Sequence, residues 1–156
     1  MNDNIKEFNK WKGEILSSAL SVESNLEIFI ADYLFEVLSE KRNFFIFVVL
    51  QKLDFNKKVE IFKEICKRNL NKEDIKNIFD TAIKSIRYVQ EIRNKVAHWE
   101  THITAKNEIQ LQRRTDYIEE KDMINLDENL IKNFKQSAMV AIFGIRDLSM
   151  KVAKIE

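Results

Sequence analysis

An arginine, an asparagine and a histidine fall within six residues at Arg93-Asn94-Lys95-Val96-Ala97-His98, and these types together suit chemistry at a phosphodiester. An unperturbed imidazole titrates at about 6.5, so it can take up and return a proton near neutrality. A guanidinium is permanently charged and grips two phosphate oxygens at once, which stabilises a crowded phosphorane-like transition state. Asn94 adds a neutral donor that fixes the phosphate or orients the histidine. Such groups can cut RNA without a metal: the 2′-hydroxyl loses its proton and its oxygen attacks the adjacent phosphorus. Four further residues are candidates to hold the chain being cut: Lys95, Trp99 (a base-stacking ring), Arg113 and Arg114.

Geometry restricts the pair. Side chains five positions apart on a continuous helix point about 140° away from each other. Arg93 and His98 therefore converge only if the last helical turn unwinds, or if a two-fold axis brings each motif to its symmetry mate. Plainer roles stand beside these. Arg93 and His98 sit where cations meet the negative end of a helix dipole. Trp99 beside a helix end also suits packing, and Arg113-Arg114 a solvated charge pair. If extended, His98, Glu100 and His102 share one face, a weak pattern for a metal, and no metal or other cofactor is expected. Cys66 lies on an apolar helical stripe as core filler.

The elements that must position this motif read as helices. A chain of 156 residues fits one domain, 1–156, long enough to bury roughly 70% of its unfolded surface. Its hydrophobic 45% and charged 33% are globular values. With no proline and only Gly13 and Gly144, tight hairpins are poorly served and long helices favoured. A first helix is expected over residues 4–39, with Phe8, Trp11, Ile15, Ala19, Val22, Leu26, Phe29, Tyr33 and Val37 on one stripe. Residues 44–50 have strand propensity but no partner strand nearby, and are expected as a short buried helix; an interface patch is the other reading. A third helix over 56–69 turns Val59, Phe62, Ile65 and Cys66 inward. The fourth begins at Asn71 as cap, with Asp74 third in the helix and Leu70 stapled onto Ile75, and ends near His98.

Beyond it the period changes. Residues 101–104 and 108–112 alternate apolar and polar as half-buried strands do, with Lys106-Asn107 between them to turn a hairpin. An isolated hairpin is marginal, so it must lie on the helices or on a second subunit. The last helix opens at Asp127, with Leu126 stapling onto Ile131, and carries a strict heptad from Ile131 to Ile155, its two central alanines permitting close approach. The expected fold is thus all-α: a helical bundle of four to five helices with a small β-hairpin between the last two long helices.

Arg-Asn-x-x-Ala-His ending a long amphipathic helix resembles the R-x4-6-H signature of the HEPN superfamily, and residues 21–34 and 57–65 resemble its bundle plan with a long first helix. The resemblance implies a metal-independent endoribonuclease of toxin–antitoxin, phage-defence or RNA-processing systems, with two arginines and two histidines sharing one cleft of a homodimer. It equally admits a member that has lost activity and serves as a dimerising or partner-binding module. Expected partners are a second copy, RNA and a cognate antitoxin or regulatory protein. Several toxin members carry Tyr two positions after the histidine as an adenylylation target; Glu100 stands there instead, which puts that control in doubt and would repel phosphate.

Charge and targeting bound the rest. A formal net charge of +1 lacks the basic surplus of a non-specific nucleic-acid coat, though an enzyme needs only a locally positive cleft. A single cysteine excludes an internal disulfide and fits a reducing compartment. The charged first twenty residues do not read as a signal peptide, and the longest apolar run is too short to cross a bilayer. A cytoplasmic protein without membrane contact is expected.

Overall fold

Apolar residues spaced three and four apart close into one long helix, α1, over Asp3–Leu34. The computed structural model describes residues 3–68, 70, 72–106, 108–114, 119 and 122–152. Four more α-helices follow among the described residues: α2 over Glu40–Val48, α3 over Phe55–Lys67, α4 over Glu73–His98 and α5 over Glu128–Lys151. Between α4 and α5 lie three short strands, β1 at Glu100–Ile103, β2 at Ile109–Gln112 and β3 at Met123–Leu126. The fold is a mostly helical bundle carrying a small antiparallel sheet.

The helices start where their sequences supply caps. Asp54 accepts a hydrogen bond from the Lys57 backbone N at 2.8 Å to open α3, and Asp127 accepts from Leu130 N at 2.7 Å to open α5. Helix α4 departs from expectation. Its cap position is Lys72, which makes no side-chain cap bond, so Asp74 is second in the helix and Leu70 is out of register for a staple onto Ile75. Asn71 lies outside the described residues, as do Asn107 of the first turn and Ile155 of the last heptad position.

Helix α4 packs along α5, α1 against α5, and α3 against α1 and α4, around a core that includes Ile15, Phe62, Ile86, Phe134 and Leu148. Lys151 Nζ meets Asp74 Oδ2 at 2.9 Å, joining the end of α5 to the start of α4, so the two run antiparallel. They also close unusually tightly at one point. A Cβ on Gly144 would stand 2.7 Å from Ala82 Cβ, so only glycine admits this approach. The heptad alanines, Ala138 and Ala141, are buried as the spacing requires. Where α3 meets α1, the buried Lys58 ammonium contacts Glu23 Oε1 at 2.5 Å and Glu27 Oε1 at 2.6 Å. Burial alone would lower the Lys58 pKa, but the two carboxylates outweigh it and hold it above the ordinary lysine value.

Three expectations fail at the surface. The first helix stops at Leu34, short of residue 39, and leaves Val37 beyond it and exposed. Residues 44–48 do form helix, as the end of α2, and Leu50 opens a separate 3-10 turn, but α2 buries none of its residues: Phe45 and Ile46 are half-buried, Phe44 and Phe47 point out, and only Leu50 beyond it is fully covered. Leu38, just before the Ser39 cap, faces Asn43 at the staple position, so no apolar partner draws it in. Strand β1, expected half-buried, is exposed at all four positions: it is an edge of the sheet, and no described residue covers it. The hairpin gains a third strand that the sequence reading missed. Thr101 pairs with Leu111 and Ile109 with Leu126, and the buried Ile109, Leu111 and Leu126 seat the sheet on the bundle. Among the described residues no helix is long and apolar enough to cross a membrane.

Candidate nucleolytic site at the end of helix 4

Helix α4 turns its apolar stripe, Ile75, Phe79, Ala82, Ile86, Val89, Ile92 and Val96, into the core, which delivers the motif to the far end of the bundle. The helix holds through His98: Trp99 N donates to Lys95 O at 2.9 Å before the chain turns extended at Trp99. The last turn does not unwind, so within one chain Arg93 and His98 diverge by about 140°. Because His98 is helical, it also does not share an extended face with Glu100 and His102, which meet at 3.9 Å between His102 Nε2 and Glu100 Oε2. Among the described residues no group of three or more His, Cys, Asp or Glu side chains is gathered to hold a metal.

The state of each side chain differs sharply along α4. Arg87 is clamped: Nη1 donates to Asn56 Oδ1 at 2.7 Å and to Gln90 Oε1 at 2.8 Å, and Nη2 pairs with Glu60. Less than two turns later Arg93 is half-buried, and among the described residues its guanidinium meets no carboxylate. Its Nη1 donates only to Asn94 Oδ1, at 3.1 Å. That bond links the two side chains, and among the described residues the other guanidinium donors have no partner. His98 is exposed, and among the described residues its imidazole has no hydrogen-bond or ionic partner.

Lys95 is otherwise engaged. Its Nζ is 2.6 Å from Glu91 Oε1 and 5.2 Å from the centre of the Trp99 ring, and Trp99 is half-buried against the core. Arg113 and Arg114 follow β2, whose register pairs Gln112 with Glu100, so the sheet returns both arginines to the strand that leaves the motif. Arg114 Nε lies 3.7 Å from Glu100 Oε1, and Arg113 Nη1 lies 3.8 Å from Asp122 Oδ1. Arg114 thus partly offsets the carboxylate two positions past His98. Both contacts are exposed at the arginine end and weak.

Sequence reasoning missed two supports. Asp122 is buried, accepts from Glu119 N at 3.2 Å and closes the β2–β3 connection through Arg113 N at 2.8 Å. Glu60, on α3, fixes Arg87 and hence the helix face before the motif. Neither was visible without the tertiary pairing. A groove opens elsewhere, between α4 and α5 beside Ile78, Ala82 and Phe143. The chain matches no protein-family model, no curated protein and no solved structure.

Proposed function

We propose that the chain is a metal-independent endoribonuclease of HEPN type, acting as a toxin or phage-defence effector at a site that two copies build together. The observation that carries this reading is an exposed His98 without a partner among the described residues, beside an Arg93 that meets no carboxylate among them, at the end of one helix. Elsewhere the same helix neutralises its arginine, at Arg87. One imidazole takes the 2′-hydroxyl proton, the oxygen attacks phosphorus, and the departing 5′-oxygen receives a proton from the second imidazole. Arg93 holds the non-bridging oxygens while charge builds on them, and Asn94 keeps the guanidinium in place. The products are a 2′,3′-cyclic phosphate and a 5′-hydroxyl.

The test is induction of wild type and His98→Ala in cells, followed by assay of the purified proteins on RNA in EDTA. Wild type arrests growth and leaves cyclic-phosphate ends, and the variant does neither. Equal growth and intact RNA for both would reject the enzyme. A second reading, a non-catalytic HEPN-like module that dimerises and binds a protein, is favoured by the exposed Phe44 and Phe47.

A further inference from the structure

The groove between α4 and α5 is open to solvent and stands apart from the nucleolytic motif. Ala82, on its floor, lies about 24 Å along α4 from His98, given the helical rise. The groove holds about 410 Å³, within the range of small-ligand sites. It is hollow because the helices meet where side chains are smallest: Gly144 has none and Ala82 a single methyl. Ile78, Val140 and Phe143 give it apolar walls, and Asn77, Thr81 and Asp147 supply its polar groups. Phe143 is 58% exposed, so most of its ring is left uncovered by the chain.

The polar groups here favour a donor. Phe143 and Asp147 stand four apart on α5, and Asn77 and Thr81 four apart on α4, so each pair shares a helix face. Thr81 Oγ1 donates its proton to Asn77 O at 3.0 Å, which leaves the hydroxyl lone pairs for an incoming N–H. Asp147 is the one charged residue among those lining the groove, and among the described residues it has no hydrogen-bond or ionic partner. An ammonium carries three donors and no acceptor, and it is drawn to the face of an aromatic ring as well as to a carboxylate. An anion would meet Asp147 with no cation in the groove to offset it. A wholly apolar molecule would cover the carboxylate and leave it unpaired.

We infer that this groove binds a small organic amine. The apolar body of the ligand lies on Ile78, Val140 and the Phe143 ring above the Gly144–Ala82 floor, and Asp147 holds its ammonium. The site does not depend on RNA cleavage. Phenethylamine, phenethyl alcohol and phenylacetate test it, since they carry nearly the same body with a cationic, a neutral and an anionic head. Titration of the intact chain, followed by the methyl NMR signals of Ile78 and Val140, reads affinity and place together. The amine is expected to bind in the millimolar range, the alcohol at least tenfold more weakly, and the acid not at all.

Asp147→Asn should bring the amine down to the affinity of the alcohol. Phe143→Leu keeps an apolar wall but removes the ring, and should weaken the amine several-fold more than the alcohol. Both residues are exposed, so the helical circular dichroism should not change in either variant. Equal binding of amine and alcohol by wild type, or an amine affinity that Asp147→Asn leaves intact, overturns the inference. So does an amine that fails to bind at tens of millimolar, or one that shifts only the Val48 and Val49 methyls of the other exposed apolar surface. Each of these outcomes leaves the ribonuclease reading untouched, and loss of cleavage in His98→Ala leaves the amine site untouched.

Discussion

The junction of α1 with α3 and the tail of α4 handle charge in opposite ways. At the junction Lys58 is taken out of water and met by two carboxylates, Glu23 and Glu27. At the tail Arg93 and His98 stay near water and, among the described residues, meet none. Burying an ion costs several kcal/mol, so a buried cation must be compensated from within the fold. A helix end in solvent carries no such requirement, and a cation left open there is available to an anion from outside.

Exchanging residues between these two classes separates the effects. The largest change is expected for His98→Ala: a loss of about 10² to 10⁴ in RNA cleavage, the usual range for one proton-transfer group. Its unfolding free energy should stay within about 0.5 kcal/mol of wild type, as for other exposed substitutions. Urea titration paired with a cleavage assay reads both. A comparable loss of stability in His98→Ala would mean that the imidazole is structural after all.

Lys58→Met should do the reverse. Two carboxylates remain facing each other without their cation, at a cost of about 3 kcal/mol, the lower end for a broken buried pair because both keep some solvent contact. Cleavage per folded molecule should not change.

Gly144→Ala is the next smaller test. The new methyl gains about 1 kcal/mol in helix propensity. It also meets Ala82 at 2.7 Å, and overpacking of that kind typically costs 1–3 kcal/mol, so a net loss of about 1 kcal/mol is expected by thermal unfolding.

The smallest effect is in alkali. Lys58 binds its proton more tightly folded than unfolded, so its contribution is complete below the ordinary value of 10.5 and disappears as pH rises through the higher folded value. Stability measured from pH 9 upward should therefore decline in wild type and decline less in Lys58→Met. Parallel curves would show that the triad is not coupled to protonation.

Much of the helical frame was legible because buried stripes impose a period that survives without tertiary knowledge. The ends of α4 and α5, at His98 and Asp127, and the inward set on α3 are of this kind. What the sequence hid was burial without periodicity. Residues 44–50 are apolar throughout, and nothing local says that Phe45 and Ile46 turn in while Phe44 and Phe47 turn out. Strand β3 was missed because Met123-Ile124-Asn125-Leu126 is short and breaks alternation, and its identity comes from pairing with β2. The cap of α4 failed because Asn71 was the better capping residue by type, yet the helix begins two residues later. At the candidate site the residue types were legible. The contrast between Arg87 and Arg93 was not, since it depends on Glu60 and Asn56 arriving from α3.

Between His98, the last residue of α4, and Glu100, the first of β1, the chain has a single residue, Trp99, and its ring is pinned by the core on one side and Lys95 on the other. Such a joint has no slack. Because Ile109, Leu111 and Leu126 also anchor the sheet to the core, the exposed β1 edge and the tail of α4 are held in one fixed relation, the strand leaving the helix with no intervening loop.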